Sequence, residues 1–124
     1  MKKILATNEA PAAIGPYSQA VEAAGLVYVS GQLPVDAATG AMPADIAGQT
    51  QAALKNVGAI LRAAGLTPEN VLKTTVFMTD LGQFAKMNEV YAAFFSANPP
   101  ARATVEVKAL PKGALVEIEA VASR

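Results

Sequence analysis

The chain has 124 residues, enough for one hydrophobic core and too few for two ordinary domains, so residues 1–124 are expected to form a single domain. Apolar residues make up 52% of it and charged residues 16%, which excludes a disordered polypeptide. Ten basic and ten acidic residues cancel with no run of Lys or Arg, so the basic footprint of a nucleic-acid binder is missing.

The first residues, Met1-Lys2-Lys3-Ile4-Leu5-Ala6, begin like a secretion signal, but the apolar stretch stops at Thr7-Asn8-Glu9. A secretory core is longer, and the expectation is an exposed start leading into an edge strand. Residues 19–23 and the β-rich run 26–30 predict a hairpin turning at Ala24-Gly25-Leu26. The uncharged run between Glu22 and Asp36 contains Gly25, Gly31 and Pro34. A membrane-spanning helix needs about 20 mostly apolar residues without such breaks, so no membrane partner is expected. Residues 36–43, with Gly40 and Pro43, read as a surface loop.

A first helix is predicted from Asp45, whose carboxylate can cap the first turn. Ile46, Ala53, Leu54, Val57, Leu61 and Ala64 recur at three- and four-residue steps and define its buried face. Gln49, Gln51, Lys55 and Arg62 are assigned to its wet face. Gly65 in a left-handed conformation, followed by Leu66 and Pro68, should end it. Residues 71–78 are strand-like, with Leu72, Val76 and Met78 expected on one face and Val71 and Phe77 on the other. Asp80-Leu81-Gly82-Gln83 resembles a capping box opening a second helix. Its apolar face is expected to be Leu81, Phe84, Met87, Tyr91 and Phe94, with Pro99-Pro100 terminating it.

Two strands, 103–108 and 115–122, are predicted to close the chain through Pro111-Lys112-Gly113, with Glu117 and Glu119 on one face. The order β-β-α-β-α-β-β predicts an α+β fold, a sheet with two helices packed on one face. The mean hydropathy of +0.31 is high for so small a domain. The excess points to oligomer interfaces, with trimerisation covering the helix-free face of the sheet.

There is no cysteine and no histidine. Thiolate metal sites, a cysteine nucleophile and a Ser-His-Asp triad are thereby excluded. Val29-Ser30-Gly31 lacks the first glycine of a nucleophile elbow, and no glycine-rich phosphate loop occurs. What remains is Arg102, delivered by the stiff Pro99-Pro100 pair, and Glu117 on a strand expected to neighbour it. A guanidinium held in this way can grip a carboxylate through two hydrogen bonds, and a glutamate beside it can hold a water. That pairing suits hydrolysis of a small anionic electrophile. Read as residues alone, an ordinary cross-strand ion pair is the better account, because structural ion pairs resemble catalytic ones in sequence.

The chain resembles the Rid (YjgF-type) family along essentially its whole length. The matching pieces are Ala10-Pro11-Ala12-Ala13-Ile14-Gly15-Pro16-Tyr17-Ser18-Gln19, Ser30-Gly31-Gln32-Leu33-Pro34, Asn56-Val57 and Lys73-Thr74-Thr75-Val76-Phe77. They continue with Asn88, Tyr91, Phe94-Phe95, Pro100-Ala101-Arg102 through Leu110, and Val116-Glu117-Ile118-Glu119.

The resemblance implies a chorismate-mutase-like fold and a cytoplasmic homotrimer with clefts between subunits. It also implies hydrolytic deamination of 2-imino acids such as 2-iminobutanoate and 2-iminopropanoate to 2-keto acids, a reaction needing no metal or organic cofactor. In that reading Arg102 binds the substrate carboxylate and Glu117 positions the attacking water. Tyr17, Ser30 and Gly31 wall the cleft from the adjacent subunit, and Asn88 lines it.

Two departures bear on the site. Thr104 stands where many relatives carry a cysteine, so a hydroxyl, not a thiol, is offered to a ligand there. The stretch between Phe95 and Arg102 is short, which alters the cleft mouth. The rival readings are a related enzyme acting on another imine such as an aminoacrylate, and a non-catalytic 2-keto-acid-binding or chaperone-like trimer. A third is a ribonuclease, which the missing histidines and the zero net charge disfavour.

Overall fold

A computed structural model describes residues 1–124. The chain opens on a short edge strand, β1 (Lys3–Leu5), followed by β2 (Ala20–Ala23) and β3 (Leu26–Gln32). Strands β2 and β3 form the expected hairpin, with Ala23 opposite Leu26. Ala24 at φ 53° and Gly25 at φ 78° both lie in the left-handed region, which matches the turn to the twist of its strands.

Helix α1 (Ile46–Ala63) starts where the sequence places it, with Asp45 Oδ1 accepting the Gly48 N–H at 3.1 Å. Its end is a Schellman motif: Leu66 N–H donates to Leu61 O at 2.8 Å and Gly65 N–H to Arg62 O at 2.9 Å. Gly65 has φ 76°, the conformation this motif requires. The predicted apolar face is buried throughout, from Ile46 to Ala64. Gln49 departs from expectation, because it is buried and not wet. Its amide donates to Pro43 O and accepts from Leu115 N, each at 2.8 Å, so a polar side chain satisfies two loop backbones inside the fold.

Strand β4 (Val71–Met78) follows a short 3-10 turn (Pro68–Asn70). Against its antiparallel partner β6 (Val116–Ser123) it carries a bulge, two residues from Val71 to Lys73 opposing one from Ala122 to Val121. The extra residue reverses the pleat. Val71 is therefore buried with Val76 and Met78, and Leu72 is exposed, a correction to the face assignment made from strict alternation.

A second 3-10 turn (Leu81–Gln83) precedes helix α2 (Phe84–Phe94). Asp80 accepts the Gly82 N–H at 2.8 Å, but no bond returns from the Gln83 side chain, so the capping box is only half formed. Met87 and Tyr91 are buried, whereas Leu81 and Phe84 are exposed and Phe95 takes their place in the core. The helix ends at Phe94, well before Pro99-Pro100, and the chain turns through Asn98 at φ 49°.

Strand β5 (Ala101–Glu106) runs parallel to β4, and a turn at Pro111–Gly113 leads into β6. The sheet order is β1-β2-β3-β6-β4-β5. The fold is α+β, with two helices on one face of a six-stranded mixed sheet. A cluster of 24 buried residues fills the layer between helices and sheet. Within it, each fully buried leucine or isoleucine, such as Leu54, Ile60 and Ile118, contributes about 1.5–3 kcal/mol through removal from water.

The opposite face of the sheet carries no helix. Register puts Ile4, Val21, Tyr28, Val121, Phe77 and Val105 on it, and Ile4, Tyr28 and Val105 are exposed. No helix is long and apolar enough to cross a membrane.

Candidate active site

Arg102 lies on edge strand β5, opposite Thr74 in the parallel pairing with β4. Thr74 is fully buried, and its hydroxyl lies 2.6 Å from the Tyr91 hydroxyl of α2, which fixes this row of the sheet on the helix face. Arg102 Nη1 donates to Asn88 Oδ1 at 2.7 Å. Its guanidinium carbon sits 4.6 Å from the centre of the Tyr91 ring and 5.4 Å from that of Phe84. The two ion pairs of the chain join Arg62 to Glu9 and Arg124 to Glu22, so Arg102 has no carboxylate partner. A half-buried, uncompensated guanidinium is an acceptor site for a small anion.

Thr104 shares the strand and the face of Arg102, beside the fully buried Val76. Its hydroxyl oxygen is buried without a hydrogen-bond partner. An unmet hydroxyl of this kind costs about 1–3 kcal/mol, a cost removed by a ligand group that hydrogen-bonds to it.

Glu117 lies elsewhere. On β6 the buried residues Val116, Ile118, Ala120 and Ala122 face the helices, so Glu117 and Glu119 point to the helix-free side. The register of β3 against β6 contains a bulge: Val29 pairs with Ala120 and Gln32 with Ile118, three steps against two. The extra residue brings Gly31 directly against Glu117. A Cβ built on Gly31 would collide with Glu117 Oε2, so glycine lets the carboxylate sit where it does and a larger residue would push it aside. Burial, reinforced by the neighbouring charge of Glu119, pushes the Glu117 carboxyl above its ordinary value.

The hollow beside Glu117 has a volume of about 610 Å³ and is lined by Tyr17, Ser30, Gly31, Gln32 and Lys112, among others. Its rim is tightly secured. Ser30 Oγ donates to Ser18 O at 2.6 Å. The Tyr17 hydroxyl accepts the Ile14 N–H at 3.3 Å. Buried Gln19 accepts from Thr7 N at 2.7 Å and donates to Thr7 O, Ala10 O and Pro11 O. The chain contains no group of three His, Cys, Asp or Glu residues placed to hold a metal ion.

Within one chain, then, the residues of the expected site fall into two separate groups, or half-sites. Arg102, Asn88 and Thr104 form one on the helix face of the sheet; Tyr17, Ser30, Gly31 and Glu117 form the other on the open face. Strand β4 lies between β5 and β6, so Arg102 and Glu117 are not on neighbouring strands and make no ion pair. The expected cross-strand pairing is thus corrected. Glu117 belongs with Tyr17, Ser30 and Gly31, not with Arg102.

Reading the sequence also missed the supports of both halves. Phe84 and Tyr91 were assigned to the core face of α2, although with Asn88 they have the i, i+4, i+7 spacing that lets one helix face cover an arginine. Gln19, a polar residue at the mouth of a hairpin, was the corresponding signal for the rim of the hollow.

A six-stranded mixed sheet backed by two helices, with an arginine free of any carboxylate partner on one face and a partly buried glutamate on the other, defines the class as an α+β protein. Comparison with known proteins gives the family. The family model described as Endoribonuclease L-PSP matches residues 7–124, and the chain belongs to this family, the YjgF/RutC family. It is 58% identical over 120 residues to the RutC family protein y4sK of Sinorhizobium fredii, covering 96% of this chain and 95% of that one. It is 51% identical over 127 residues to the 2-iminobutanoate/2-iminopropanoate deaminase of Escherichia coli K12, covering 100% of this chain and 99% of the relative. The crystal structure of E. coli TdcF with bound serine superposes with a TM-score of 0.96 at 50% identity, covering 98% of both chains.

Proposed function

We propose that this protein hydrolyses 2-imino acids, such as 2-iminobutanoate and 2-iminopropanoate, to 2-keto acids and ammonia in the cytoplasm. The observation that carries the reading is the unpaired, half-buried Arg102, a cation awaiting an anion, in a chain half identical to a deaminase of these imines. The substrate carboxylate lies on the free edge of the Arg102 guanidinium, with the Thr104 hydroxyl within the same half-site. Glu117 takes a proton from water as its oxygen adds to the imine carbon, and the nitrogen is protonated. The carbinolamine then collapses: its hydroxyl proton passes through Glu117 to the amino nitrogen, the C–N bond breaks, ammonia leaves, and the oxygen becomes the keto oxygen. Imines hydrolyse unaided in water, so positioning and electrostatics at one centre are a sufficient contribution.

The two half-sites of one chain face opposite sides of the sheet, so the complete cleft in this proposal forms between chains. Arg102 of one subunit would meet Glu117, Tyr17 and Gly31 of the next in a homotrimer closed over the apolar helix-free face. That face exposes Ile4, Tyr28 and Val105, side chains that an interface would remove from water.

The test couples a threonine dehydratase, which releases 2-iminobutanoate, to semicarbazide trapping, while sedimentation gives the assembly state. The expected result is faster loss of the imine in the presence of a trimer. A trimer that binds 2-ketobutanoate without accelerating hydrolysis would identify a binding protein instead, and a stable monomer would rule out the shared cleft.

Gly31→Ala provides a further check. The added methyl group must displace the Glu117 carboxylate. Turnover is expected to fall at least about tenfold, the loss of roughly 1.4 kcal/mol of transition-state stabilisation from a misplaced base. Steady-state kinetics on folded variant protein would measure it, and wild-type turnover would remove Glu117 from the reaction.

A further inference from the structure

The Arg102 half-site contains an acceptor of unusual choice. Three side chains of one α2 face, Phe84, Asn88 and Tyr91, converge on the guanidinium. Two are aromatic rings, and the third is an amide whose oxygen takes the Nη1 proton at 2.7 Å. The Tyr91 ring is itself fixed, because its hydroxyl is bonded to the buried Thr74 hydroxyl at 2.6 Å. An arginine tethered to structure is commonly held by a carboxylate, as Arg124 is here by both oxygens of Glu22 at 2.6 and 3.0 Å. Around Arg102 every tether is uncharged.

We infer that Asn88 is a positioning residue that orients Arg102 without neutralising it, so that the half-site keeps a full positive charge for a monocarboxylate ligand. The Asn88 contact is the one side-chain hydrogen bond of Arg102, so it sets the rotation of the guanidinium plane while the other edge stays open. Tyr91 and Phe84 add attraction through their ring faces, which stabilises the cation without cancelling it. Asn88 thus acts on the ligand through Arg102. An aspartate is nearly the same shape as asparagine and would form an ion pair with that guanidinium, competing with the incoming carboxylate.

This inference deepens the deaminase reading and rests on it. The test compares wild type, Asn88→Asp and Asn88→Ala by calorimetric titration with 2-ketobutanoate and with its uncharged amide, alongside imine hydrolysis. Asn88→Asp is expected to weaken 2-ketobutanoate binding roughly tenfold or more, the scale of a lost charge-assisted hydrogen bond. Binding of the neutral amide should change much less, and the kinetic loss should fall mainly on KM.

Asn88→Ala keeps the charge but releases the guanidinium, so its loss should be smaller than that of Asn88→Asp. A purely structural role for Asn88 would move both ligands together and spare neither variant. Equal binding of 2-ketobutanoate by wild type and Asn88→Asp, or a larger loss in Asn88→Ala, would overturn the inference. Failure of wild type itself to bind 2-ketobutanoate and to hydrolyse imine would overturn the deaminase reading instead. Should Asn88→Asp not fold, Asn88→Ala decides: a loss that falls on 2-ketobutanoate and largely spares its amide supports the tether, and equal losses for the two ligands, or none, overturn it.

Discussion

Arg102→Ala is expected to lower kcat/KM for 2-iminobutanoate by roughly a hundred- to a thousand-fold, because two charge-assisted hydrogen bonds to the substrate carboxylate are lost together. The expectation follows from the isolation of the guanidinium. It rests on Tyr91 and Phe84, is tethered by the neutral Asn88, and has no acidic partner to absorb its charge. Arg102→Lys should lose most of the same activity, since an ammonium cannot offer two parallel donors from a fixed plane. The semicarbazide-competition assay measures both. Near-normal turnover by the lysine variant would mean that the carboxylate is bound elsewhere. The alanine variant should remain folded, because Arg102 lies on an edge strand outside the apolar cluster.

Glu117→Gln is expected to cost roughly a hundred- to ten-thousand-fold in kcat, the usual contribution of a positioned general base. Glutamine fits the space beside Gly31 and can still hold a water, but it cannot take the proton. Wild-type activity should carry a pH signature of the same group. Burial and Glu119 raise the folded-state pKa of Glu117, so the acid limb of the rate profile should lie above that of an ordinary glutamate.

The stability consequence has a definite sign. Between the ordinary and the raised value the folded state binds more protons than the unfolded state, so wild-type stability falls as pH rises through that window. Glu117→Gln removes this dependence, and its difference from wild type should grow in favour of the variant across the same window. Thermal unfolding across that pH window would measure it. A Glu117→Gln enzyme with full turnover would leave the water to be activated by another group.

Much of the local structure is legible in the sequence. The β2–β3 turn, the Asp45 cap and the Gly65 stop of α1 follow from interactions spanning a few residues, and each appears where expected. The buried face of α1 follows from periodicity, and so does the shared face of Glu117 and Glu119. The failures have a common origin. Gln49 is buried because Pro43 and Leu115, distant in sequence, need its amide. Leu72 changed faces because a bulge against β6 added a residue that alternation does not foresee. Phe84 left the core because the edge of the sheet brings Arg102 beneath it, and aromatic residues at helical spacing read the same whether they meet a core or a cation.

The amino-acid sequence sets the chemical inventory. With neither histidine nor cysteine, carboxylates, guanidinium groups, lysines and hydroxyls are the polar groups left, and it is the family resemblance that singles out Arg102 and Glu117 among them. It also determined the elements, because helix caps, turns and periodicity are local. How those groups are distributed depends on the folded chain. Inserting β4 between β5 and β6, with a fixed register on each side, puts Arg102 on one face of the sheet and Glu117 on the other. Strand order and face depend on long-range pairing, in which shifting by one residue exchanges inside for outside. The bulge at Ser30-Gly31 that seats the Glu117 carboxylate is a property of two strands together, and neither strand's sequence contains it alone.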